Sequence, residues 1–322
     1  MSQRNKILYK VEGSSKIGMG HVFRSFYLLQ QLKKKNSIII FTKKNSKSDI
    51  FFKKKKFKVI TYSNFNEYYL FKKILNNYKI SKFINDVIFL NSKIKKYLLK
   101  NDYKSFFLDT KNVKPRNNMY CINTFIVAKS KHKNYYSGLR YVIKNSDLKF
   151  RKQESIIQNK LKVVFHFGST DDKKLNIKIL KILSSYGHIK SLSIILGPAL
   201  FYKLGEIKEA IKNYSFKCKL YIYPKNLNPI YNNANLAIIS GGNTLFNFCS
   251  AQRTNISIST NLYEKNNCLQ MQKLKLTNYY GHYNTLNKKK FLNLLKNSLS
   301  KIRYKKTSFK AEGIKEILKI LN

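Results

Sequence analysis

The stretch "GSSKIGMGHVFRS" places His21 directly behind Gly18 and Gly20. It follows the apolar run "KILYKV" and opens a helical pattern, so it is a strand-to-helix turn. The backbone N–H groups and the positive helix end of such a turn can hold a phosphate or a carboxylate. At the first turn of a helix the dipole opposes an imidazolium, which leaves the His21 ring able to accept a proton as a general base. Arg24, one of only seven arginines, lies three residues on and is the expected partner of a substrate phosphate or carboxylate. No Gly-Lys-Ser/Thr closes the turn, and Phe23 stands where GxGxxG needs its last glycine, which argues against ATPase and dinucleotide readings. Taken alone, the stretch also fits a packing or capping histidine.

Two further Gly/Ser turns stand in the second half. "HFGSTDD" sets Gly168 and Ser169 at a strand end with Asp171 at a natural N-cap position. "IISGGNTLFNF" gathers Ser240, Gly241, Gly242, Asn243 and Thr244 into a turn whose backbone and hydroxyl donors could wrap a diphosphate. His132, His166, His188 and His282 show no metal-ligand spacing with acids or cysteines. Cys121, Cys218, Cys249 and Cys268 form no CxxC. Free thiols, no metal and no cofactor are expected.

The elements that would position these turns are strands and helices in alternation. "KILYKV", "SIIIFT", "FKVITYS", "SKFINDVIF" and "KSFFLDT" are short β-branched or aromatic runs separated by helical stretches. Such runs suit strands buried on both faces, and the spacing of Val22, Phe26 and Leu29 suits a helix covering them. After a polar interruption the rhythm resumes with "KVVFHF", "SLSIILG", "KLYIYP", "NLAIIS" and "NISIST". The expected fold class is α/β, two Rossmann-like domains with parallel sheets facing across a cleft. The first domain would span residues 1–148, a link 149–161, and the second domain 162–322, with the last helix a candidate to pack back on the first domain. In open sheets of this kind ligands bind beyond the carboxyl ends of the strands, where all three turns fall.

With 64 Lys and Arg against 15 Asp and Glu, the 322-residue chain carries a formal charge of +49. Lysine and asparagine are abundant everywhere and arginine is scarce, the imprint of a coding bias rather than of selection for bidentate phosphate contacts. Bias does not account for the shortage of acids, so pressure for a surface that attracts anionic nucleotides or lipid head groups remains open. "FFKKKKFK" at 51–58 reads as a solvated helix face or a weak contact with an anionic membrane. No basic-aromatic or helix-turn-helix signature supports a nucleic-acid partner. No apolar stretch approaches the roughly 18 residues of a membrane span and none looks like a leader, so a soluble, cytoplasmic protein is expected.

Together "GSSKIGMGHVFRSFYLLQQL", "YYSGLRYVI", "FGSTD" and "LAIISGGNTLFNFCSA" resemble, in that order, the UDP-sugar hydrolases of pseudaminic acid biosynthesis and the related spore-coat polysaccharide proteins. The resemblance spans about residues 5–285 and implies a GT-B-like fold. It also implies a metal-independent enzyme that releases UDP from a UDP-diacetamido-trideoxyhexose by attack of water at the anomeric carbon. His21 matches the histidine that acts there as base. Ser240, Gly241, Gly242 and Thr244 match the loop that holds diphosphate and uridine, with Gly168 and Ser169 nearby. The chain departs from the pattern at Asn247, which stands where an acid receives ribose hydroxyls, and in "INDVIFLNS", which keeps Asp86 without the tyrosine two residues on. It departs again in "FGSTD", which replaces F-G-G-S-D. The alternative activity is transfer of the sugar to an acceptor of surface polysaccharide; a divergent non-catalytic relative and a nucleic-acid-binding protein rank below it.

Overall fold

The computed structural model describes residues 4–124, 130–152, 161–212, 214, 216–300 and 309–322. The chain divides into two compact units, one formed by Met1–Asn145 with Ala311–Asn322 and the other by Ser146–Lys310. Residues 153–160 of the expected link lie outside the described residues.

The first unit alternates β1 (Lys6–Val11), α1 (Gly20–Leu32), β2 (Ser37–Lys43), α2 (Lys47–Lys54), β3 (Lys58–Tyr62), α3 (Glu67–Tyr78), β4 (Ile80–Asp86), α4 (Ser92–Lys100), β5 (Ser105–Leu108), β6 (Met119–Asn123) and β7 (Tyr135–Ser137). All strand pairs are parallel, in the order β3-β2-β1-β4-β5-β6-β7. The apolar runs become strands because both sheet faces are covered. On one face Leu8, Ile39, Phe41, Phe83 and Phe107 pack with Phe71, Ile74, Ile94 and Leu98 of α3 and α4. Helix α1 buries Val22, Leu28, Leu29 and Leu32 at helical spacing, and Arg24 and Ser25 with them.

The second unit runs β8 (Leu161–His166), α5 (Leu175–Leu183), β9 (Ile189–Leu196), α6 (Leu204–Ala210), β10 (Lys217–Ile222), α7 (Asn228–Asn233), β11 (Leu236–Ser240), α8 (Asn243–Ser250), β12 (Asn255–Ser259), α9 (Leu262–Lys273), β13 (Asn278–His282) and α10 (Lys288–Ser300). Its parallel sheet has the order β10-β9-β8-β11-β12-β13. The last helix, α11 (Gly313–Leu321), belongs to the first unit, where the Gly313 N–H donates to the Val142 carbonyl at 3.0 Å. A Cβ on Gly313 would stand 2.3 Å from that carbonyl oxygen, so glycine permits the docking.

The strand order reverses direction between β1 and β4 in the first unit and between β8 and β11 in the second. These reversals open a crevice at the carboxyl ends of the strands, because the connections leave toward opposite sides of the sheet. The turns after β1, β8 and β11 therefore occupy the two places where each sheet can receive a ligand.

Candidate active site

In the first unit the turn between β1 and α1 is closed on itself. The Ser14 and Gly18 backbones exchange two hydrogen bonds, 3.2 and 2.9 Å, and the Ser14 hydroxyl accepts from the N–H groups of Lys16 and Ile17. Gly18 has φ +78°, a conformation that favours glycine. Gly20 is the exposed first residue of α1, and His21 follows with its side chain 19% exposed.

Beneath His21 lies Asp86, the last residue of β4, with no exposed surface. Its Oδ1 is 2.8 Å from His21 Nδ1. A carboxylate only accepts, so Nδ1 carries the hydrogen and Nε2 is the ring's proton acceptor. The other oxygen accepts from the Ser25 hydroxyl at 2.6 Å, and the Tyr9 hydroxyl lies 3.3 Å away. Burial alone would raise the Asp86 pKa, but the Arg24 guanidinium and the hydrogen bond from His21 hold it well below the usual carboxylate range.

Arg24 is not placed to meet a substrate phosphate, as its sequence position suggested. It is buried. Its Nε lies 3.1 and 3.2 Å from the two Asp86 oxygens, and its Nη1 donates to Asp109 Oδ2. Asp109, just beyond β5, in turn accepts from the Thr124 N–H at 2.7 Å and the Thr124 hydroxyl at 2.8 Å. Two carboxylates use the Arg24 charge within the protein, so its work is to brace Asp86, not to bind an anion.

In the second unit the turns after β8 and β11 adjoin: a Cβ built on Gly168, φ +75°, would lie 3.7 Å from Ser240 Oγ. The β8 turn is laced to the one after β9, where the Ala199 and Phe201 N–H groups donate to the Ser169 and Thr170 carbonyls at 3.0 and 2.9 Å. Asp171 accepts from the Leu175 N–H at 2.7 Å and the Tyr202 hydroxyl at 2.8 Å, which fixes the turn to the start of α5. Burial pushes its carboxyl up to about 6 against those hydrogen bonds. At the end of β8, His166 Nδ1 lies 2.5 Å from the Tyr231 hydroxyl, and burial lowers its pKa to about 4, so it stays neutral.

The β11 turn reads differently from its sequence in two ways. Ser240 is buried and its hydroxyl engages Glu264, so that side chain is committed within the protein. Asn247 is buried one turn into α8, as is Thr244 at its start. An acid does stand beside this turn, Glu264 of α9, whose Oε1 would lie 3.7 Å from a Cβ on Gly242. Its Oε2 accepts from the Thr260 N–H and hydroxyl, both at 2.8 Å, and burial raises its pKa. The signal was present in "TNLYEKN": Asn261 caps α9 and accepts from the Glu264 N–H at 3.1 Å, the Asn-x-x-Glu spacing of a helix start.

Gly241 and Gly242 have separate reasons to be glycine. A Cβ on Gly241 would meet the Glu264 carbonyl at 2.5 Å and Cys268 Sγ at 2.7 Å, whereas one on Gly242 has no neighbour nearer than 3.7 Å. Gly241→Ala is expected to destabilise the protein by about 1–3 kcal/mol through overpacking, read as a lowered Tm. Gly242→Ala is expected to leave the stability within about 0.5 kcal/mol of wild type and Tm nearly unchanged.

No known family model matches the chain. An uncharacterized protein of Methanocaldococcus jannaschii is 28% identical over 261 residues, 75% of this chain and 53% of that protein. The chain thus spans about half the length of the curated relative it matches. Among solved structures, MurG of Acinetobacter baumannii superposes with a TM-score of 0.68 over 98% of this chain and 99% of its own, at 11% identity. The UDP-GlcNAc 2-epimerase of Methanocaldococcus jannaschii superposes with a TM-score of 0.59 over 99% of each chain, at 14% identity. The fold is of the GT-B type. Identities this low speak for the fold alone. Among the described residues no group of three or more His, Cys, Asp and Glu is arranged to hold a metal ion, and no helix is long and apolar enough to cross a membrane.

Proposed function

We propose that the protein is a nucleotide-sugar enzyme that releases UDP from a UDP-diacetamido-trideoxyhexose, with water as the attacking group. The observation that carries this reading is the His21–Asp86 pair at the β1/β4 crevice: Nδ1 is engaged at 2.8 Å by a buried carboxylate, which leaves Nε2 as the base. In the proposed reaction Nε2 takes a proton from water as its oxygen bonds to the anomeric carbon. The bond from that carbon to the diphosphate oxygen breaks, and UDP departs with the electron pair. The turns around Gly168, Ser169 and Gly241 to Thr244 would take the diphosphate on backbone N–H groups and the N-terminus of α8. Glu264, whose Oε1 lies beside Gly242, is the group this reading assigns to the ribose hydroxyls in place of Asn247. The enzymes of similar fold support the class of substrate: a UDP-GlcNAc 2-epimerase of Methanocaldococcus jannaschii has been solved with UDP-GlcNAc and UDP.

A second reading has its own support in the similarity to MurG and to a glycosyltransferase of Rickettsia africae, which superposes with a TM-score of 0.59 at 12% identity. There an acceptor hydroxyl takes the place of water and the same base serves.

The first test is nucleotide binding followed by turnover. UDP at about a hundred times its Kd is expected to stabilise the protein by about 2.7 kcal/mol, seen as a raised Tm that CMP and GDP do not reproduce. Turnover of a UDP-diacetamido sugar without any acceptor is expected to release UDP. Release only after an acceptor is added would make the protein a transferase, and no response to UDP would remove both readings.

A further inference from the structure

The carboxyl edge of the first sheet carries a row of exposed apolar side chains. Ile17 follows β1, Ile50 follows β2, Phe65 and Tyr69 follow β3, and Phe89 follows β4, and these strands are neighbours in the order β3-β2-β1-β4. Their exposures are 50%, 61%, 101%, 65% and 64%. Single exposed apolar residues are ordinary, but one after each of four adjacent strands on one edge makes a band.

The charge of the same edge is positive. Lys16, Lys43, Lys44, Lys47 and Lys111 are exposed there, with Lys111 Nζ 5.5 Å from the centroid of the Phe89 ring. The acids of this edge are turned inward. Glu12 and Glu67 pair with the buried Lys10 at 2.6 and 3.2 Å, Asp49 pairs with Lys53 at 2.8 Å, and Asp86 and Asp109 pair with Arg24. The edge thus presents apolar tips between lysines without exposed carboxylates to offset them.

We propose that this edge docks the protein on an anionic lipid surface. An apolar tip gains by leaving water at the acyl boundary, and lysine gains from the negative potential of the head groups, so a bilayer satisfies both features at once. A nucleic acid is the competing occupant, since Phe65, Tyr69 and Phe89 could stack on bases, but Ile17 and Ile50 offer no ring and Arg24, beside the band, is spent on two buried carboxylates, so the band as a whole suits acyl chains better. The inference does not depend on the enzymatic reading: Ile17 lies in the β1–α1 turn, but Ile50, Phe65, Tyr69 and Phe89 belong neither to that turn, nor to the His21–Asp86 pair, nor to the turns of the second unit.

The test is sedimentation of the full chain with vesicles of phosphatidylcholine, with and without phosphatidylglycerol. Wild type is expected to bind the phosphatidylglycerol vesicles about tenfold more tightly, with the difference shrinking as salt is raised. Ile50→Ser/Phe65→Ser, which removes apolar tips without changing charge, is expected to lose about tenfold in binding. Lys44→Gln/Lys47→Gln is expected to lose the preference for phosphatidylglycerol. Leu274→Ser, at an exposed apolar position of the second unit, is expected to bind as wild type does. A wild-type Tm and a wild-type response to UDP in each variant would show that folding and nucleotide binding are separate from the loss. Binding by Ile50→Ser/Phe65→Ser equal to wild type would overturn the proposal, as would variants that leave vesicle binding intact but weaken binding to a single-stranded RNA oligonucleotide.

Discussion

Replacing His21 by alanine is expected to slow UDP release by about a hundred- to ten-thousand-fold, the range that one positioned general base contributes, and to leave the affinity for UDP nearly unchanged. The split follows from where the groups stand. The proposed diphosphate donors are backbone N–H groups of the second unit, whereas His21 belongs to the first. His21 offers only a proton-accepting nitrogen, and only the attacking water needs it. A single-turnover assay with a UDP-sugar, read beside a UDP titration by thermal shift, separates the two quantities. The fold should tolerate the change. Asp86 keeps Arg24, Ser25 and Tyr9 when the imidazole is gone, so stability is expected to fall by only about 1 kcal/mol. An unchanged turnover rate in His21→Ala would remove the base assignment, whatever UDP binding did.

The strands were legible in the sequence because each is a compact β-branched or aromatic run bounded by turn residues, and burial on both faces asks for nothing else. The glycine turns were legible for a similar local reason. Gly18 and Gly168 carry positive φ, and Gly241 admits the backbone of α9. What could not be read were the carboxylates. Asp86 lies 65 residues from His21, Asp109 lies 85 from Arg24, and Glu264 lies 22 beyond Gly242. Each pairing is created by strand order rather than by spacing. The reading of Arg24 failed for the same reason. Local sequence shows an arginine one turn from a histidine, and only the arrival of β4 and β5 beside β1 shows that two buried acids already neutralise it. Asn247 leaves its position without an acid, and the nearest acid to the β11 turn, Glu264, comes from a neighbouring helix that the local sequence does not tie to it.

The inward-facing acids also bear on the charge of the chain. A coding bias toward lysine would supply positive charge, but it does not explain why Glu12, Glu67, Asp86 and Asp109 all pair with the buried Lys10 or Arg24. Those acids neutralise Lys10 of β1 and Arg24 of α1 in the interior, where an unpaired cation would be costly to bury. Surface lysines need no such partner, so they accumulate without a matching rise in acids.

Asp86→Asn is the sharper test of the site because it changes one atom and removes one charge. Asparagine fills the same volume and keeps a carbonyl oxygen, so packing is preserved, but Arg24 loses one of its two carboxylates in a buried place. Removing one partner of a buried ion pair typically costs about 3–5 kcal/mol, and a fall of that size is expected in denaturant unfolding. The catalytic loss should exceed what the geometry alone would suggest. Arg24 Nη2 lies 3.0 Å from His21 Nδ1, and without the carboxylate to claim the Nδ1 hydrogen it can donate to that nitrogen instead. The ring would then carry its hydrogen on Nε2, which would face the substrate as a donor rather than a base. A loss of UDP release comparable to that of His21→Ala is therefore expected, although the imidazole is still present. The pH dependence of stability supplies an independent check. Because Asp86 has its pKa lowered in the folded protein, its contribution is present above the ordinary carboxylate pKa of about 4 and disappears as pH falls through the lower folded value. Wild type should lose stability steadily below about pH 4, and Asp86→Asn should show a shallower loss over the same interval. Parallel acid-unfolding curves for the two proteins would mean that Asp86 is not held as a carboxylate by Arg24, and the orientation of His21 would then need another cause.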